Sequence, residues 1–403
     1  MFANRQVLLI LIAAAATFSY ALWEGLLNNF SHEQAGFNGT SIGGLHTFRE
    51  IPGFLAFTAV YLILVIKEQR LALLSLLLMG VGIAMTGYFP TIWGLYFATV
   101  IMSVGFHYFE TLHLGLTWQW FPKQQTPVVL GRVQSARSLA MVGTLILLAC
   151  VFRFGWLDYI PAYILGGGVS VVVAVAAIFL FRTIESVNIQ NSNLVVRPQY
   201  WLYYALILLS GARRQIFIVI AGFMMVDKFG LHIEDMLLLL AFNSIIVAIV
   251  APFVGRLLQR FGERIVLAFE YVGLIGVFVL YAFVEVAWQA TALYFVDHVF
   301  FALAIGMNSY FKRIADDKDL AGSAATSFTF NHIAAVLLPL PIGILYDLVG
   351  PSPVFLIGAG IAGLSLLCAL MVPSDPDKGN EVASWSGRGD RLMRRFLPNW
   401  GGG

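Results

Sequence analysis

Charge is the scarcest thing in this chain. Only 11% of its 403 residues are Asp, Glu, Lys or Arg, while 59% are hydrophobic; soluble globular domains carry roughly 25% charged residues. That balance excludes an ordinary water-soluble domain and predicts an all-α integral membrane protein. The formal net charge of +2 leaves no basic patch for nucleic acid, because the positive residues sit in short loops where membrane topology accounts for them. Cysteine is nearly absent. Cys150 and Cys368 both lie inside apolar runs, where a thiol behaves as a small hydrophobe, so neither a disulfide framework nor a thiolate metal centre is supported. No Gly-x-x-x-x-Gly-Lys-Ser/Thr phosphate loop occurs, which argues against ATP binding. No nucleophile-and-base motif marks an enzyme, and no cofactor is implied.

What the chain has instead is apolar runs of the length needed to cross a bilayer, roughly 20 residues each. They fall at about 6–30, 42–66, 70–88, 92–118, 129–152, 157–181, 200–227, 234–257, 263–285, 288–311, 321–346 and 352–372. The first is too long for a signal-peptide core and contains Glu24 and Asn28, so it reads as a retained first span. With the N-terminus inside, the inner segments hold Arg5, Lys67, Arg70, Lys123, Arg182, Arg197, Arg256, Arg260, Arg264, Lys312, Arg313, Lys318 and the basic residues of the tail, against Arg153 and Lys228 outside. The positive-inside rule therefore puts both termini in the cytoplasm, in a plasma membrane of the bacterial inner-membrane kind. The polar stretch from Arg182 to Tyr200 divides the spans six and six. Residues 1–182 are expected to form one six-helix half, 183–199 a cytoplasmic linker, 200–372 a second half and 373–403 a cytoplasmic tail. The tail is polar, Gly-rich and basic near its end, so it is expected to be disordered or to lie as a short helix on the inner leaflet.

Ionisable residues inside the spans cost on the order of 2.5 to 3.5 kcal/mol each on insertion scales unless they face protein or water. Here they are many: Glu24, His46, Arg49, Glu50, His107, Glu110, His113, Arg132, Arg137, Arg213, Arg214, Asp297, His298 and His332. Such a set predicts a polar cavity inside a lipid-embedded bundle. Helical spacing groups it further, because Glu24 and Asn28 are four apart and His46, Arg49 and Glu50 share a face. His107, Glu110 and His113 drift by about 60° per step and stay in one sector of their helix.

The connection after the eighth run reads Gly255-Arg256-Leu-Leu-Gln-Arg260-Phe-Gly262-Glu-Arg264, which resembles the signature loop of the major facilitator superfamily (MFS). Gly343-Ile-Leu-Tyr-Asp347-Leu-Val-Gly350 is similar to the end of span eleven in many members. The equivalent first loop, Val65 to Arg70, keeps its basic charge without the glycines, and span five lacks the glycine and proline motif of many drug antiporters. The resemblance implies two six-helix halves around a central cavity, with spans 3, 6, 9 and 12 outermost. It also implies an inner gate at Gly255, Arg256, Arg260, Gly262 and Arg264. The charges sort the same way, since spans 3 and 12 carry none inside their ends.

The expected function is secondary active transport of a small organic anion or zwitterion by alternating access, coupled to protons. Arg213 and Arg214 are the leading substrate ligands, because a guanidinium stays charged and matches carboxylate or phosphate; adjacent positions on a helix diverge by about 100°, so one is expected to face the cavity and the other to pair with Asp297 or Glu270. Arg137, Gln215, Trp23, Asn28, Arg49 and Asn331 complete that set. Glu110, Glu24, Glu50, His107, His113, His46 and Asp297 are the candidate proton carriers. Two alternatives stand beside this reading: a divalent-metal exporter whose ligands are His107, Glu110 and His113, and a membrane solute sensor that does not transport. The expected partners are a small solute, the proton and the lipid bilayer, and the chain is expected to act as a monomer.

Overall fold

The computed structural model describes residues 2–122, 125–182, 196–316 and 320–383. It is helical throughout, with no strand among these residues. The first half comprises α1 (Phe2–Ala35), α2 (Gly39–Phe54), α3 (Ala59–Ile63), α4 (Glu68–Thr86), α5 (Ile92–Trp120), α6 (Thr126–Arg153) and α7 (Tyr159–Leu180). In the second are α8 (Trp201–Gln215), α9 (Gly222–Asp227), α10 (Ile233–Ala282), α11 (Ala287–Ala302), α12 (Ile305–Ile314), α13 (Leu320–Leu337), α14 (Pro339–Val349) and α15 (Pro351–Leu370). Eleven stretches of the described residues are long and apolar enough to cross a membrane.

The remaining span, the second, is broken. Its helix α2 starts at Asn38, whose side chain accepts from the Ser41 amide at 2.9 Å, and contains Pro52. A proline there lacks the N–H that would bond Phe48 and its ring crowds that carbonyl. The helix ends two residues later, passes through a 3₁₀ turn at Ala56–Thr58 and resumes as α3. The seventh span is continuous but irregular, since a π-turn at Ile216–Ala221 joins α8 to α9. Spans eight and nine run together as α10, separated only at Gly262, whose φ of 76° and ψ of 166° reverse the chain in one residue. Glycine is needed there because a Cβ disfavours positive φ. Pro339 opens α14 where the eleventh span breaks after α13.

Packing pairs α4 with α5 and α7 in the first half and α10 with α15 in the second. The halves meet where α2 lies on α14 and α6 on α10. Small residues let the first of these pairs come close: a Cβ on Gly43 would strike the Pro339 carbonyl, and one on Gly343 would strike that of Gly39. The hydrogen bonds and ion pairs that join the halves lie at the end where α1 turns into α2 and at mid-depth. They include Asn29 to the Leu231 carbonyl at 3.0 Å, Thr47 to the Val336 carbonyl at 3.2 Å and Arg153 to Glu234 at 3.3 Å. At the opposite end Phe57, Tyr61, Leu64 and Val65 beyond the α2 break, and Gly131, Arg132, Gln134 and Ser135 on α6, are exposed. The bundle is thus shut at the α1–α2 end and parted at the other.

The start of the tail departs from the expectation of disorder. Residues 373–383 fold back on the second half: Arg313 pairs with Asp375, Tyr310 donates to the Glu381 carbonyl, and the Ala383 amide donates to Met371 at 2.7 Å. A carboxylate within reach of Arg313 and two backbone carbonyls supply the contacts that composition alone does not reveal. Most of the expected linker (183–195) and the basic end of the tail (384–403) lie outside the described residues.

Candidate functional site

At mid-depth four helices bring together a cluster of polar and ionisable side chains. Tyr20 and Glu24 come from α1, Arg49 and Glu50 from α2, Ser103 and His107 from α5, and His332 from α13. Arg49 is the hub. Its Nε and Nη2 donate to Glu50 Oε1 at 2.9 and 2.6 Å, while Nη1 reaches Glu24 Oε2 at 3.2 Å and the Tyr20 hydroxyl at 3.4 Å. Two carboxylates thus face one guanidinium, a surplus of negative charge in the first half. Ser103 donates its hydroxyl to the Arg49 carbonyl, tying α5 to the helix that breaks just beyond. A cavity of about 20 Å³ lies among Tyr20, Arg49, Glu50, Ser103 and His107, room for one water molecule. His46 is buried one turn away with its Nδ1 unmatched.

Glu110 and Arg137 meet between α5 and α6, with Arg137 Nη1 donating to both carboxylate oxygens at 2.8 and 2.9 Å. Both side chains retain exposure, 20% for Arg137 and 32% for Glu110, so this pair borders the open space. His113 turns away, its Nε2 at 3.0 Å from the Leu9 carbonyl. The metal set read from the sequence, His107, Glu110 and His113, therefore does not converge. Spacing of three along a single helix splays the side chains, and Arg137 and Leu9 engage two of them. Among the described residues the group whose ligand atoms do converge, within 4.8 Å of one another, is Glu50, His107 and His332.

The adjacent arginines of α8 diverge as helical geometry requires. Arg213 is sealed in the second half, 1% exposed, and reaches Glu270 at 3.3 Å across to α10, with Phe301 5.7 Å from its guanidinium. Asp297 Oδ1 and Glu270 Oε2 are buried beside it without hydrogen bonds. In this conformation Arg213 is enclosed by its neighbours on α10 and α11 and has no surface open to a solute. Trp23 and Gln215 are likewise fully buried. Arg214 is different. It is half-buried, its Nη2 donates to Asn331 Oδ1 at 3.2 Å, its Nε has no acceptor, and its hydrogen-bond partner is a neutral amide. Asn28 is also half-buried, with its Oδ1 unmatched.

The shut end is held by a residue the charge analysis passed over. Asp347, at the end of α14, accepts from the Gly39 amide at 2.8 Å, the Thr40 amide at 2.7 Å and the Thr40 hydroxyl at 2.6 Å. A carboxylate from one half thus caps the first turn of a helix in the other, where unpaired amides and the helix dipole favour an anion. At the parted end the basic loop stands open. Arg256 lies over Phe253 at 4.4 Å and Arg260 over Phe261 at 5.2 Å, and no ion pair involves them or Arg264 among the described residues. The acidic member of that loop is engaged instead, Glu263 accepting from Ser309 at 2.8 Å and from Arg313 at 3.2 Å.

The family model of the Major Facilitator Superfamily matches residues 6–330. The chain belongs to that superfamily. A 128-residue stretch is 30% identical to the multidrug resistance protein MdtG of Proteus mirabilis, covering 32% of each, so the match spans about a third of the length of that curated relative. Among solved structures, a point mutant of the nucleoside transporter NupG superposes with a TM-score of 0.76 at 13% identity, over 91% of this chain and 99% of the other. A bacterial homolog of the human lysosomal transporter Spinster, inward-facing and occupied, does so with a TM-score of 0.73 at 9% identity, over 95% and 99%. At such identities the likeness is one of fold. As an MFS member with eleven apolar stretches of spanning length among the described residues, the protein is a multi-pass membrane protein. Its central cluster includes Tyr20 and Ser103, which the sequence analysis did not single out, and His332, which it counted among the intramembrane ionisable residues without giving it a role. A Tyr four residues before Glu24 and a Ser four before His107 were the helical-spacing signals available for the first two.

Proposed function

We propose that this MFS protein is a proton-coupled secondary transporter of a small organic anion or zwitterion, working by alternating access. The observation that carries the substrate class is Arg214, a half-buried guanidinium whose hydrogen-bond partner Asn331 is uncharged. A guanidinium whose bonded partner is a neutral amide, with no carboxylate in contact, can take an anionic group beside it. Opposite it, the first half has the reverse imbalance, Glu24 and Glu50 around the single guanidinium of Arg49. A zwitterion satisfies both, its carboxylate on Arg214 and its ammonium toward the carboxylates.

The coupling proton is assigned to Glu110. Protonating this carboxylate breaks the charge-assisted contact that holds Arg137 and releases a second guanidinium to the open space; deprotonation takes it back. Orientation by the positive-inside rule puts the parted end in the cytoplasm, which makes this the inward-open state, with Asp347 as the outer latch.

Thermal-shift screening of the purified full chain against carboxylates, phosphates and amino acids identifies the ligand class. Arg214→Gln is expected to abolish the ligand-induced shift while leaving the unliganded melting temperature within a few degrees. In proteoliposomes, Glu110→Gln is expected to keep exchange of that ligand and to lose ligand-driven proton flux. Wild-type ligand shifts in Arg214→Gln, or intact proton flux in Glu110→Gln, would overturn the respective assignment. Binding without any exchange would make the protein a sensor.

A further inference from the structure

The imidazoles of His107 and His332 are held alike. His107 Nδ1 lies 3.0 Å from the Ser103 carbonyl and His332 Nδ1 2.8 Å from the Phe328 carbonyl, one helical turn back in each case. A carbonyl can only accept, so Nδ1 carries the hydrogen in both rings and Nε2 is left with a lone pair. Ser103 enforces the same choice, because its hydroxyl hydrogen goes to the Arg49 carbonyl and its oxygen can then only accept from His107 Nδ1, 3.0 Å away.

The two bare nitrogens converge. A Cβ on Gly53 would sit 2.4 Å from His332 Cδ2, 2.5 Å from His332 Nε2 and 2.7 Å from His107 Nε2, so both ring edges border the space that this glycine leaves free. Glu50 completes the group: its Oε1 is taken by Arg49, while Oε2 faces His332 Nε2 at 3.6 Å, beyond hydrogen-bonding distance. All three side chains are buried. Three acceptors that meet without a protein donor repel one another. A cation that takes lone pairs resolves this.

The donor set is that of a zinc-class ion, two imidazoles and a carboxylate, with the second ring nitrogen of each imidazole already bound to a carbonyl as metal-ligating histidines usually are. The cavity of about 20 Å³ beside Glu50 and His107 has room for a water molecule. Glu50 and His107 belong to the first half and His332 to the second. We propose that Glu50, His107 and His332 form a site for a zinc-class divalent ion, and that the bound ion clamps the two halves together at mid-depth.

The test uses the purified full chain stripped with chelator, then titrated with CoCl₂ and ZnCl₂, so it needs no knowledge of the transported solute and stands apart from the transport assignment. Expected are one Co²⁺ per chain with the visible bands of a four- or five-coordinate ion, and slower hydrogen exchange in both α2 and α13 when Zn²⁺ is added. His107→Gln and His332→Gln should each weaken Co²⁺ binding by more than about tenfold, whereas His232→Gln, at an exposed position, should bind as the wild type does. His332→Gln leaves the Arg49 hub untouched and guards against a folding defect, checked by its melting temperature without metal. Undiminished binding in both histidine variants means adventitious surface metal and overturns the proposal. So does the lack of any Co²⁺ band, which leaves a proton on one imidazole as the occupant, and so does protection confined to one half, which removes the clamp.

Discussion

At the scale of single residues, neighbouring positions with the same side chain have different tasks because the helix points them in different directions. Arg213 is the compensating charge for Glu270 and Asp297 in a dry interior; Arg214 has no such counter-charge bonded to it. Removing one member of a buried ionic group leaves the others uncompensated and typically costs about 3–5 kcal/mol. Arg213→Ala is therefore expected to lower the thermal stability and folded yield of the whole chain, in contrast to Arg214→Gln. Melting temperatures of the two variants in the same detergent check this, and equal stability would favour Arg213 as a solute contact. That Arg213 and Arg214 diverge was legible from their adjacency. Which one faced the space was not, because it depends on where α10 and α11 place Glu270 and Asp297, a matter of tertiary packing that no local spacing encodes.

At the scale of elements, glycine and proline do most to shape the path. Pro52 ends α2 directly below Arg49 and Glu50, and Gly53 beside it makes room for two imidazoles. The seal between α2 and α14 rests on Gly43 and Gly343, whose added Cβ atoms would meet main-chain carbonyls, which have little freedom to move aside. Gly343→Ala is expected to loosen that seal, read as faster thiol labelling of a cysteine placed at Thr40; labelling as slow as in the parent would show that the helices accommodate the extra carbon. Asp347→Asn, which keeps the shape but removes the charge that caps α2, is expected to move labelling in the same direction by a smaller factor. The sequence displayed these glycines as part of a family-like ending to span eleven. It did not display what they touch, since their contacts lie on a helix of the other half.

At the scale of the molecule, the sorting of charge away from the third and twelfth spans is a direct reading of lipid exposure, and the MFS fold agrees with it. The chain's organisation into spans was legible because each must satisfy its backbone internally and so extends for a bilayer's width. The break in the second span was less so: a single proline in an apolar run is compatible with a kink or an end, and only packing decides. The central cluster was partly legible. Glu24, Arg49, Glu50 and His107 stood out as buried charge, but the neighbour that closes the group, His332, comes from the other half and is joined to them only by the fold.

The π-turn between α8 and α9 holds one more residue than a regular turn would. It amounts to a phase shift inserted into the seventh span, so the two segments on either side of it keep independent azimuths along one axis. Because the wide turn absorbs the roughly 100° that its extra residue would add, deleting a single residue within 216–221 would restore the regular pitch and leave Arg213 facing Glu270, whereas inserting one would swing the arginine-bearing segment out of register. The seventh span therefore tolerates the loss of one residue in this turn more readily than the gain of one.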